Sequence, residues 1–149
     1  MSAIVTSAVI DRPAADVFAY ATDPTKFPEW QKGVTGGRMD SAGPVRVGDV
    51  CKTTRKIGGA ERASTSRVTH VDAPRTWGVK GIDGPIRATV DLIVEPLGEA
   101  RSRLTISVDF EGHGIGKVLV PLMVRREARA EMPANMAALK SRLQTVAER

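Results

Sequence analysis

Two stretches in the second half of the chain alternate apolar and polar positions with a period of two. In the first, Ile86, Ala88, Val90, Leu92 and Val94 fall on one side, and Arg87, Thr89, Asp91 and Glu95 on the other. In the second, Leu104, Ile106, Val108 and Phe110 oppose Arg103, Thr105, Ser107, Asp109 and Glu111. This alternation describes strands with one wet and one buried face, as in an antiparallel sheet covered on one side. Three runs upstream, GDVCKTTRKIGG, AERASTSRVTHV and RTWGVKGID, also read as strands. They are punctuated by Gly58-Gly59, Asp72-Ala73-Pro74 and Asp83-Gly84-Pro85, with Gly98 dividing the two alternating runs.

The ends of the chain are patterned differently. AIVTSAVI, residues 3–10, is rich in β-branched residues and reads as a strand. Next, Asp11 as a cap, Pro13 in a first turn and Val17 with Phe18 on one side predict a short helix ending near Asp23-Pro24. Phe27 and Trp30 stand three apart, which puts both on one side of a second, very short helix, where Trp30 serves as core or as a ligand contact. From about Gly116 to Glu148, Val118, Leu119, Leu122 and Met123, then Met136, Leu139 and Leu143 with Val146, recur at helical spacing. Pro133 is expected to kink or divide this long helix. The pattern is α+β: one strand, two short helices, an antiparallel sheet and a C-terminal helix.

Composition narrows the function classes. The 149 residues make one domain, 1–149, long enough to bury a core with an internal pocket. Lysine and arginine total 22 against 17 acids, a net charge of +5, but the charges are interleaved and no zinc-finger or RNA-binding pattern accompanies them. Nucleic acid is therefore not an expected partner. The single Cys51 forms no internal disulfide, and the opening MSAIVTSAVIDRP has no basic leader. No apolar run reaches the ~18 residues that a membrane helix needs. A soluble cytoplasmic protein is the expectation.

DRPAADVFAYATDPTKFPEWQKGV, VTHVDAPRTW and MPANMAALKSRLQ together resemble the bacterial polyketide cyclase/dehydrase-like members of the START-like, or SRPBCC, superfamily. The resemblance implies the helix-grip fold, in which a curved antiparallel sheet wraps around a long C-terminal helix, with two short helices after the first strand. It also implies a cavity for lipids, polyketides, aromatic molecules or other hydrophobic compounds.

The residues themselves offer a candidate pocket wall. If Val68 points inward, a period of two also turns Arg62, Ser64, Ser66 and His70 inward. These would bind an oxygenated ligand, with Arg62 holding an enolate or carboxylate; alternatively the strand is solvated and a bulge interrupts its parity. Ser64, Ser66 and Ala88 are small and leave room. Trp77 alternates with Val79 and joins the inner face as core or as a stacking surface, while Leu122 and Met123 would close the pocket from the helix. The candidate ligand contacts are thus Trp30, Arg62, Ser64, Ser66, Trp77, Leu122 and Met123.

Catalytic and metal chemistry have thinner support. His70 and His113, the only histidines, lack ligand spacing for a metal, although either can act as a general acid or base. Arg125, Arg126 and Arg129 read as a solvated helix face, with Arg126 able to reach a cavity mouth. GIGK, residues 114–117, lacks the rest of a P-loop, and neither a Ser-His-Asp set nor a dinucleotide motif is present. No cofactor or metal is expected. Three functions follow: a binder or carrier of a small hydrophobic molecule, a cyclase, aromatase or dehydratase using the same cavity, or a protein-interaction subunit with its cavity filled.

Overall fold

The computed structural model describes residues 3–57 and 59–147. Gly58, Glu148 and the side chains of Leu119, Leu122 and Val146 therefore lie outside the described residues. The elements are β1 (Ile4–Ile10), α1 (Ala14–Ala21), a 3-10 turn (Pro24–Lys26), α2 (Phe27–Trp30), β2 (Val34–Met39), β3 (Val50–Ile57) and β4 (Ala60–Asp72). They continue with β5 (Thr76–Gly81), β6 (Ile86–Pro96), β7 (Ser102–Gly112), α3 (Gly116–Leu119), a π turn (Val120–Val124) and α4 (Arg125–Ala147). The seven strands form one antiparallel sheet in the order β1-β7-β6-β5-β4-β3-β2. Strands β2 to β7 follow one another as hairpins, and β1 joins the far edge beside β7. The sheet curls into a half-barrel around α4, as the resemblance implies.

The register assigns the concave face. Ile10 on β1, Val68 on β4, Trp77 and Val79 on β5, Leu92 and Val94 on β6, and Leu104 and Ile106 on β7 are all buried in one cluster. Met132, Met136, Leu139 and Leu143 of α4 and Val17, Phe18 and Ala21 of α1 complete it. Phe27 and Trp30 from α2 plug one end. Asp23, rather than Asp11, is the capping aspartate: its Oδ1 accepts from the Thr25 backbone N–H at 3.0 Å. Asp11 stands too far upstream, because α1 begins only after Pro13 and has no side-chain cap.

Local features refine this picture. The strand β2 contains Gly36-Gly37, a pair that reads as punctuation in the sequence; a Cβ on Gly37 would run into the Pro24 carbonyl, so glycine lets the 3-10 turn lie against the sheet. Between Val68 and His70 the β4–β5 register shifts by a bulge. The long helix runs unbroken through Pro133, and its interruption is the π turn that contains Pro121. Val118, before that turn, and Met123, within it, are exposed and do not join the core. Arg125, conversely, is only 4% exposed.

Candidate ligand-binding cleft

On four strands burial along the concave face runs from accessible to buried, whereas on β2 Val34, opposite Arg55, is buried and Met39, opposite Cys51, is half-buried. On β6 the inward positions run from half-buried Ile86, Ala88 and Val90 to buried Leu92 and Val94. On β7 the half-buried Val108 and Phe110 give way to buried Ile106 and Leu104. On β4 the order is exposed Arg62, half-buried Ser64 and Ser66, then buried Val68. On β3 it is half-buried Arg55 and Thr53, then buried Cys51. The buried positions lie beneath α4 and α1, while the partly covered inward positions are apolar on β6 and β7 and polar on β3 and β4.

Cross-strand pairing fixes the neighbours in the cleft. Cys51 lies opposite Ser66, Thr53 opposite Ser64 and Arg55 opposite Arg62, while Ala88 lies opposite Phe110. Residues paired in this way share a face, so the two serines, Thr53 and both arginines all belong to the concave side. Burial lowers the pKa of Arg55 from its ordinary value, and Glu131 of α4 acts in the opposite direction. The guanidinium nevertheless stays charged, because arginine titrates far above neutrality. Among the described residues Arg55 makes neither an ion pair nor a side-chain hydrogen bond. Burial, reinforced by Asp40, pushes the Cys51 thiol up to about 11, so it is protonated and unreactive near neutral pH.

The structure separates the remaining candidates. Trp30 and Trp77 are buried in the core cluster, and each indole Nε1 has no hydrogen-bond partner among the described residues. Met123 does not close the cleft: it is 51% exposed and lines a groove of about 320 Å³ with Arg126, Glu127 and Ala130 on the outer side of the helix. The Leu122 side chain lies outside the described residues. His70 is turned to the convex face by the bulge, where its Nε2 lies 2.7 Å from Asp91 Oδ1, over Gly78. His113 Nε2 lies 3.3 Å from Glu111 Oε1. Arg125 is not part of a solvated face, since its Nη1 donates to Asp109 Oδ1 at 2.8 Å. Arg55 and Thr53 are the concave-face residues that sequence reasoning missed. A turn centred on Gly58-Gly59 would have placed them opposite Arg62 and Ser64 and so pointed to them.

Comparison with known proteins adds the family. Residues 1–144 match the family described as polyketide cyclase / dehydrase and lipid transport. The chain belongs to this family. Among solved structures, the aromatase/cyclase Zhui from Streptomyces sp. R1128 superposes with a TM-score of 0.78 at 14% identity, covering 95% of this chain and 93% of that one. A START superfamily protein from Mycobacterium smegmatis gives 0.77 at 14% identity, with 98% and 99% covered. The di-domain ARO/CYC BexL from the BE-7585A biosynthetic pathway gives 0.76 at 17% identity over 100% of this chain. The chain spans 48% of BexL, about half its length. A search of the curated proteins found no match. At these identities the likeness establishes the shared helix-grip fold of the START superfamily. Among the described residues no helix is long and apolar enough to cross a membrane, and no group of three or more metal-ligating side chains is present.

Proposed function

We propose that this member of the family binds a small hydrophobic molecule, such as a lipid, polyketide or aromatic compound, in the accessible half of its concave face. The observation that carries this reading is the gradient of burial, which leaves Ile86, Ala88 and Phe110 partly uncovered inside a concavity whose other half is fully packed. Apolar surface facing inward gains from being covered, at roughly 25 cal/mol per Å². A ligand covering about 200 Å² of it would gain ~5 kcal/mol before the cost of association. Thr53, Ser64 and Ser66 would orient its oxygen atoms, since hydroxyls both donate and accept.

Transport or storage is favoured over catalysis by where His70 lies. Paired with Asp91, it is on the convex face and so supplies no acid or base to the cleft. The test is native mass spectrometry of the protein purified from its own host, followed by extraction of whatever it retains. A retained apolar compound that stays unchanged on incubation supports the carrier. Conversion of that compound would point to a cyclase or dehydratase activity, and a protein that neither retains nor takes up apolar compounds would refute both.

A further inference from the structure

The β3–β4 hairpin treats its two faces differently. On the convex face it sets Lys56 opposite Glu61, a complementary pair, whereas on the concave face the next position sets Arg55 directly opposite Arg62. Like charges directly opposite one another on a sheet repel and are destabilising. Arg55 is also partly withdrawn from water, and the charge of Glu131 acts on it. Two guanidiniums that cannot shed their protons therefore stand side by side on the concave face, with Glu131 of α4 acting on Arg55.

We propose that Arg55 and Arg62 form a clamp for the carboxylate of an amphipathic ligand whose apolar body lies against Ala88 and Phe110. The proposal rests on the cleft reading above and narrows its ligand class to hydrophobic carboxylic acids. Guanidinium groups suit a carboxylate because their paired N–H donors meet both oxygens at once. Glu131 competes with the ligand for Arg55, which makes the site readily emptied.

The test compares decanoate with decanol, which share a chain length but not a charge, by calorimetry at one ionic strength. The wild-type protein is expected to bind decanoate about 10-fold more tightly, as a charge-assisted hydrogen bond allows. Arg55→Met should abolish that preference while leaving decanol binding unchanged. Arg62→Met, at an exposed position outside the core, should reduce the preference severalfold, and Glu131→Gln should strengthen decanoate binding. Decanol bound as tightly as decanoate, or a preference that survives both arginine substitutions, would overturn the clamp and leave the cleft standing. Binding of neither probe would remove the cleft, and the clamp with it.

Discussion

Trp30 meets Phe27 edge-on, with ring centroids 5.8 Å apart and planes at 84°, and both are sealed beneath α4. This is a large apolar plug, and Trp30→Ala should lower the unfolding free energy by about 3–5 kcal/mol in urea titrations. Trp30→Phe should cost much less, because it keeps an aromatic ring and removes an indole N–H that has no protein acceptor among the described residues. Cys51 gives a pH-dependent prediction. Its thiol titrates near 11 in the folded chain against 9.0 for an unperturbed thiol, so between those values the unfolded state loses the proton first. The stabilisation is complete below pH 9 and disappears as pH rises toward 11, a loss on the order of 2 kcal/mol that Cys51→Ala should remove from the pH profile of the urea midpoint. Tyr20 acts in the same direction at higher pH, since burial, and after it the hydrogen bond to Glu29, raises its pKa to about 12 from 10.0. Its hydroxyl donates to Glu29 Oε1 at 2.9 Å, and Tyr20→Phe should cost about 1 kcal/mol at neutral pH.

The approach of α3 to the sheet depends on two glycines. A Cβ on Gly112 would overlap the Gly116 carbonyl, and a Cβ on Gly116 would overlap that of Pro85. Gly116→Ala should therefore lift α3 from the Pro85 turn before β6 and lower stability by about 1–3 kcal/mol, read from the thermal midpoint. Strict alternation makes β6 and β7 legible from sequence, and the turn residues around Asp72 and Asp83 make the hairpins legible too. β2 is not, because Gly36-Gly37 resembles a loop until the Pro24 backbone is seen lying against it. The π turn is hidden for a related reason: Pro121 and Pro133 both look like helix breakers, and only packing decides which one interrupts the hydrogen-bond ladder. Once that turn has interrupted the helix, side-chain spacing before it no longer tells which residues after it are buried, as Arg125 is.

At the scale of the molecule, the cleft was partly legible. Parity from Val68 places Arg62, Ser64 and Ser66 on the concave face, and it fails at His70, where a bulge, the alternative reading of this strand, interrupts it. Arg55 escaped notice because β3 is polar on both faces, with Lys52, Thr54 and Lys56 outside and Thr53 and Arg55 inside. Occupation of the cleft should raise the thermal midpoint with the logarithm of ligand concentration, and a flat response across a 100-fold range of decanoate would show that the folded state does not bind it. The placement of β1 has a consequence for how the chain reaches this shape. Its partner is β7, so that Ile4 is registered with Val108, while every other strand pairs with the one next to it in sequence. During synthesis at about 5–20 residues per second, the N-terminal strand would wait roughly 5–20 s before its partner exists. For that interval Val5, Val9 and their neighbours form an unpaired β-branched segment, the kind of segment that chaperones hold and that joins a second nascent chain when they do not.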